Sequence, residues 1–196
     1  MRTVFVDIDS QLDFLYPAGA LYVPGAERVV PAIARLNRWA AERGIPVVST
    51  ADAHAEDDPE FTVWPHHCVA GATGQRKAEA TLLERRVVVP NRECELFLDG
   101  VQQIIVEKQT VDVFQARNLG RVIEQLHADR FVVYGVVTEI CVLYAARGLL
   151  KIGKPVTVVT DAVKELTAAD GRRALEEIRA AGGTLALAAE VCATAR

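Results

Sequence analysis

The sequence predicts an α/β protein, a three-layer α/β/α sandwich with helices on both faces of a mainly parallel sheet. Three observations carry that expectation. Short β-branched runs alternate along the chain with longer segments of helical periodicity. The runs are almost continuously apolar, as strands covered on both faces must be. Right-handed crossovers then place the intervening helices on the two sides of the sheet.

Residues 3–8 (Thr-Val-Phe-Val-Asp-Ile) read as the first strand. Its Asp7 must be paired or protonated if the strand is central, and strand parity assigns it to the same face as Asp9. A Pro/Gly loop follows, then a helix through Val29, Ile33, Leu36 and Ala40. Pro31 fits only close to that helix's start, because it has no N–H for an interior turn. Gly44 ends the helix, and residues 45–50 form the second strand. Residues 103–107, 131–136, 155–160 and 184–187 read as four more, separated by helical stretches near 118–127, 139–152 and 169–181. The exception is a loop of about 51–84, rich in Asp, His, Pro and Gly and without periodicity; loops of that length inside compact domains are usually functional. No repeat, low-complexity tract or boundary divides the chain, so one domain over 1–196 is expected.

A chain of 196 residues can bury roughly 70% of its unfolded surface. With 51% apolar and 24% charged residues it is neither disordered nor collagen-like. A net charge of −4 with no Lys/Arg block argues against nucleic acid as partner, and no apolar run reaches the ~18 residues of a membrane helix. The strand pattern begins at Thr3, where a signal peptide would have an apolar core, so a cytoplasmic protein with reduced thiols is expected. Cys68, Cys94, Cys141 and Cys192 are scattered, with no CxxC pair. Homo-oligomerisation is left open.

In parallel sheets ligands bind beyond the carboxyl ends of strands. Collecting the polar residues there gives Asp9, Asp52 and His54, Lys108, and Thr138-Glu139-Ile140-Cys141. Most free cysteines are small buried hydrophobes. Cys141, however, falls at the third position of a helix if Thr138 caps it, where unpaired N–H groups lower a thiol pKa and can hold an oxyanion. A carboxylate (Asp9) and an ammonium (Lys108) converging on it favour a nucleophile over a packed thiol.

Asp52-Ala53-His54 with His67 makes a metal set with open positions, and Glu60 and His66 are spare candidates. The alternative is a polar loop whose histidines cap or hydrogen-bond. Cys68 beside His67 reads as a packed thiol rather than a ligand. Phe14 and Trp64 are either core filling or the walls of a flat pocket for an aromatic ring. His127 is assigned to a solvated helix end, and Cys94 and Cys192 receive no role.

Together these segments resemble the isochorismatase-like cysteine hydrolases, and within them the nicotinamidase branch. Asp9-Ser10-Gln11-Leu12-Asp13-Phe14 resembles the family's D-x-Q-x-D-F opening, and Val136-Val137-Thr138-Glu139-Ile140-Cys141-Val142 resembles its nucleophile segment. Asp52-Ala53-His54, Trp64-Pro65-His66-His67-Cys68-Val69 and Gly71-Ala72-Thr73-Gly74 resemble the nicotinamidase metal loop and the turn after it. The sequence departs from the pattern at Glu60 (a further His in some nicotinamidases), His66 (usually Pro) and Asp7 (mostly apolar in relatives).

The resemblance implies a six-stranded parallel sheet in the isochorismatase-like hydrolase fold. It also implies Asp9 as base, Lys108 as supporting cation and Cys141 as nucleophile, with a cis peptide at Val137–Thr138. The backbone N–H groups of Val137 and Cys141 would form the oxyanion hole. Asp52, His54 and His67, with Glu60 as a further candidate, would hold one divalent ion (Zn, Fe or Mn), and Phe14 and Trp64 would flank the substrate. The implied activity is hydrolysis of a small carboxamide, nicotinamide foremost, to the acid and ammonia. The alternatives are a metal-independent isochorismatase-like or ureido/carbamoyl amide hydrolase, and a non-catalytic binding protein on the same fold.

Overall fold

The computed structural model of the chain describes residues 2–194. Seven strands form one wholly parallel sheet in the order β3-β4-β2-β1-β5-β6-β7: β1 Thr3–Ile8, β2 Val47–Asp52, β3 Arg86–Val89, β4 Gln103–Lys108, β5 Arg130–Val136, β6 Val156–Lys164 and β7 Thr184–Ala186. The expected six-stranded sheet therefore gains a member. The addition, β3, is a four-residue edge strand with exposed Arg86 and Val88, followed by Pro90. Edge strands are kept short, charged or proline-bounded because one side pairs with nothing, and the only sign of this one is the three-residue run Val87-Val88-Val89 between Arg86 and Pro90, too short to read as a covered strand.

Helices α1 (Leu12–Leu15), α2 (Val30–Glu42), α3 (Leu119–Leu126), α4 (Leu143–Lys151), α5 (Ala168–Ala180) and α6 (Ala188–Thr194) complete the layers. Ile33, Leu36, Asn37 and Ala40 make one buried stripe along α2, with Pro31 in its first turn and Gly44 left-handed (φ +66°) just beyond its end. Helices α2 and α6 pack together over one face. Val6, Val48 and Phe131 point to the other face and meet Leu119 and Ile123 of α3 and Leu149 of α4. Helix α5 starts on a side-chain cap, with Thr167 Oγ1 accepting the Asp170 N–H at 3.1 Å, and lies beside α4. No helix among the described residues is long and apolar enough to cross a membrane.

The strand order changes direction about β1, which is hydrogen-bonded to β2 on one side and β5 on the other. At this junction Gly135 has φ +121°, and a side chain there would collide with the Ile8 carbonyl, so the closest approach of β1 and β5 requires glycine. Strand β2 runs two residues past the expected end, to Asp52. Residues 53–85 are irregular apart from two 3₁₀ turns, Pro59–Thr62 and Glu79–Thr81, as the unpatterned sequence there suggested.

Candidate active site

Asp9, Asp52, Lys108 and Cys141 all follow or end strands at the carboxyl edge of the sheet, and the fold brings them into one buried cluster. Lys108 Nζ donates to Asp52 Oδ1, lies 3.0 Å from Asp9 Oδ2 and reaches Cys141 Sγ at 3.9 Å. Asp9 is left-handed (φ +45°), which turns its side chain away from the face used by Asp7. Its Oδ1 accepts the Thr50 hydroxyl at 2.5 Å. Asp7 instead faces α2, accepting from Asn37 and Ser49. The expected shared face is thus corrected: parity fails where the strand ends in a left-handed residue.

Two features of the Cys141 segment also differ from expectation. The cis peptide is Val136–Val137, one bond earlier than Val137–Thr138, because Val136 is still held in register with Lys164 of β6 and the chain leaves the strand immediately after it. Thr138 does not cap. The cap position is Val137, Thr138 is the first residue of a π-helical turn Thr138–Val142, and its hydroxyl has no hydrogen-bond partner. Cys141 is therefore fourth in the turn rather than third. The Val137 carbonyl accepts the N–H groups of both Ile140 and Val142 at 3.1 Å, and this folds the turn around the thiol.

Burial decides the charge states. It pushes the Cys141 thiol well above its ordinary value; Lys108 opposes, while Asp9 and Asp52 add to the rise. The helix-start lowering expected from sequence is outweighed, and burial favours the protonated thiol. Burial also raises Asp9, with Lys108 opposing and Asp52 contributing. Asp52 goes the other way: despite burial, Lys108 and the nearby imidazoles of His54 and His67 hold its carboxyl far below the usual range. Burial would lower Lys108, but Asp52, Asp9 and Cys141 outweigh it and the ammonium is held well above its ordinary pKa.

Beside this cluster lie the metal candidates. Asp52 Oδ2 is 3.9 Å from His54 Nε2 and 3.8 Å from His67 Nε2, and Glu60 Oε2 is 3.8 Å from His54 Nε2. A tetrahedral ion with bonds of about 2.0–2.2 Å spreads its donors roughly 3.3–3.6 Å apart, so each of these three separations needs to close by only a few tenths of an ångström; Asp52, His54 and His67 form one candidate set, and Glu60 groups with His54 and Asp58 in another. The donor chemistry also fits a cation, since His54 Nε2 and Glu60 Oε2 are buried without a hydrogen-bond partner. His67 presents Nε2 because its Nδ1 is engaged by the Pro65 carbonyl at 2.7 Å, and His54 Nδ1 lies 3.1 Å from Asp58 Oδ2. A partner such as the Pro65 carbonyl orients an imidazole, whereas the Asp58 carboxylate approaches His54 without hydrogen-bonding it. His66 is turned elsewhere and stacks on Phe61, with ring centroids 4.1 Å apart.

A pocket opens over Cys141, and Phe14, Trp64, Val137, Asp52, Glu60 and His67 all line it. Phe14 also packs against the His67 ring at 5.5 Å. Leu21, Val111, Ile140 and Leu166 finish its largely apolar wall. These four are apolar loop or turn residues with no pattern to single them out in sequence.

Several positioning residues were missed from sequence. Gln11 clamps Asp52, donating to its carbonyl at 2.8 Å and accepting its N–H at 2.7 Å, and donates to the Gln75 carbonyl at 2.7 Å. Asp13 ties the 53–85 loop down by accepting the Cys68 N–H at 2.7 Å. A side chain at Gly74 would strike the Asp13 carboxylate, which explains glycine there. The placement of Gln11 and Asp13 within D-x-Q-x-D-F was their signal; Thr50 and Asp58 had none beyond lying near Asp52 and His54.

The chain is 26% identical over 208 residues to a nicotinamidase of Escherichia coli K12, with 91% of each chain covered. It superposes on a zinc complex of a pyrazinamidase of Pyrococcus horikoshii with a TM-score of 0.82 at 27% identity, covering 95% of this chain and 99% of the other. It matches the fold of an isochorismatase-like hydrolase of Alkaliphilus metalliredigens with a TM-score of 0.85 at 21% identity over the full length of both. The family model of the isochorismatase domain matches residues 3–190, and the chain belongs to that family.

Proposed function

We propose that this protein is a cysteine amidohydrolase that releases ammonia from a small aromatic carboxamide, with nicotinamide as its favoured substrate. The observation that carries the reading is the meeting of Asp9 and Lys108 with Cys141 beneath an apolar pocket lined by Cys141, Asp52 and His67, with His54 buried beside the last two. The relatives named above act as supporting analogy for the substrate.

Asp9 accepts the Cys141 proton as sulfur attacks the amide carbonyl, a role required by a thiol that rests protonated. The N–H groups of Val137 and Cys141 receive the developing oxyanion, where one donor is commonly worth ~3 kcal/mol. Asp9 returns the proton to the departing nitrogen, which leaves as ammonia, and the acyl group stays on Cys141 as a thioester. Water, deprotonated by Asp9, then releases the acid and restores the thiol. Lys108 remains charged throughout and balances Asp9 and sulfur. Phe14 and Trp64 orient a flat ring. Asp52, His54 and His67, with Glu60, would hold a divalent ion of the Zn, Fe or Mn type, which when bound would offer a Lewis-acid contact to a ring nitrogen.

The test is an ammonia-release screen over nicotinamide, pyrazinamide, benzamide, and ureido and carbamoyl compounds, with elemental analysis of protein purified without chelators. The reading expects nicotinamide and pyrazinamide to lead, Cys141→Ala to be inactive, and about one equivalent of metal. Preference for a carbamoyl compound by metal-free protein would replace it.

A further inference from the structure

On the α2 side of the sheet, away from the pocket, lies a second buried ion pair. Asp7 in β1 and Lys77 in the returning leg of the long loop are both buried, with Lys77 Nζ 3.4 Å from Asp7 Oδ2. Asp7 Oδ2 also accepts from Asn37 Nδ2 at 3.1 Å and Ser49 Oγ at 3.2 Å. Asn37 is held in turn by the Tyr134 hydroxyl at 2.6 Å, and Ser49 by Gln103 at 2.9 Å. Neither Asp7 nor Lys77 reaches the pocket.

Docking the loop does not need this pair. The backbone already stitches residues 76–78 to residues 10–12, through the Leu12 N–H to the Arg76 carbonyl at 2.9 Å and the Ala78 N–H to the Ser10 carbonyl at 2.8 Å. Nor is stability a sufficient reason, because well-packed apolar residues of similar volume usually replace a buried ion pair without loss. What the ammonium adds is a directed bond: Lys77 Nζ donates to the Thr50 carbonyl at 3.1 Å. The Thr50 hydroxyl donates to Asp9 Oδ1 at 2.5 Å and accepts the Asp9 N–H at 3.1 Å. A continuous polar path therefore crosses the sheet from Asp7 through Lys77 and Thr50 to Asp9.

We propose that Asp7 and Lys77 are a positioning pair for the reaction: Asp7 holds the Lys77 ammonium on the Thr50 carbonyl, and this fixes the Thr50 hydroxyl that orients Asp9. The proposal rests on the reading of Asp9 as the base. Asp9 has a left-handed backbone and no regular strand pairing beyond it, so its carboxylate depends on such side-chain support to face Cys141.

The test compares Thr50→Val, Lys77→Met, the double variant of these two, and Asp7→Asn/Lys77→Met. Nicotinamide turnover, melting temperature and the rate of Cys141 carbamidomethylation by iodoacetamide (followed by mass spectrometry) are measured for each. Thr50→Val and Lys77→Met should each lower kcat about tenfold with KM within about twofold, and the double variant should fall no more than about twofold below the worse single. Asp7→Asn/Lys77→Met should regain most of the melting temperature lost by Lys77→Met, since no unpaired carboxylate stays buried, while kcat stays low. Effects that multiply to about a hundredfold, an unchanged kcat in Lys77→Met, or a kcat that recovers together with the melting temperature would each overturn the proposal. If wild-type protein leaves nicotinamide untouched or Cys141→Ala still turns it over, the reaction assigned above fails. The iodoacetamide rates then decide the pair: one shared, non-multiplying slowing in Thr50→Val and Lys77→Met supports it, and unchanged rates overturn it.

Discussion

Removing the ammonium of Lys108 should abolish most activity and much stability, and the structure sets the scale of both. In Lys108→Met the buried carboxylates of Asp9 and Asp52 lose the cation between them. At the 3.0 Å separation of Lys108 Nζ and Asp9 Oδ2, with an effective dielectric near 20, the lost attraction is about 5 kcal/mol. Breaking one side of a buried pair costs about 3–5 kcal/mol in practice. For a chain of this length that lowers the melting temperature by roughly 6–20 °C. The chemical consequence is separate. Burial and Asp52 already raise Asp9 against the pull of Lys108, so without Lys108 the carboxyl holds a proton and cannot accept one from the thiol. If about 3 kcal/mol of that change falls on the transition state, kcat/KM drops by more than roughly a hundredfold. The assay is ammonia release from nicotinamide at a temperature where melting curves show the variant folded. Lys108→Arg should be almost as poor, because a planar fork cannot sit among three groups arranged around one nitrogen. Rates within about threefold of wild type in folded Lys108→Met would refute the reasoning.

Asp9→Asn should lose turnover yet melt at the same or a higher temperature. Asp9's folded pKa is raised above its ordinary 3.8, so its contribution to stability declines as pH climbs from that value through the folded pKa, and ionising the buried carboxyl carries a net cost. A neutral isostere removes that cost; a fall of more than about 5 °C would contradict it. Glu60→Ala should lower the metal content found by elemental analysis after gel filtration, whereas unchanged content would leave Glu60 as a loop carboxylate only. Nicotinamide should be hydrolysed at least roughly a hundredfold more efficiently than benzamide, whose ring has no nitrogen, and His54→Ala should remove most of that gap. Equal efficiencies in metal-loaded wild-type protein would show a pocket that reads shape alone.

The layer architecture was legible because it depends on pattern. Val4, Val6, Val47, Val48, Val132 and Val133 are buried in runs that read as covered strands. Edge strand β3 was not legible, since Arg86 and Val88 face solvent and no periodicity survives in four residues. The candidate site residues could be collected because parallel strands send their carboxyl ends to one side. How they act on one another could not, because that depends on distances across the sheet. The protonated state of Cys141 is a product of burial, which a helix-position argument cannot weigh. Thr50 and Lys77 lie 41 and 68 residues from Asp9 along the chain, and nothing local marks them as its support.

The central place of β1 has a consequence for how the molecule is made. Thr3 pairs with Arg130 and Ile8 with Gly135, so during synthesis β1 waits for more than 120 residues before its second neighbour exists. Until then β1 can border only a half-sheet with β2, β4 and β3, and one side of it offers unpaired amides and carbonyls to any passing strand. Closing that gap is a long-range event whose chain-entropy cost precedes its reward, which makes folding slow for the size of the protein. Asp9 stands at the tip of this waiting strand and Cys141 just beyond the one that completes it. A nascent or truncated chain that stops before β5 carries Asp9 but not Cys141, and the sheet junction on which both depend has not yet formed.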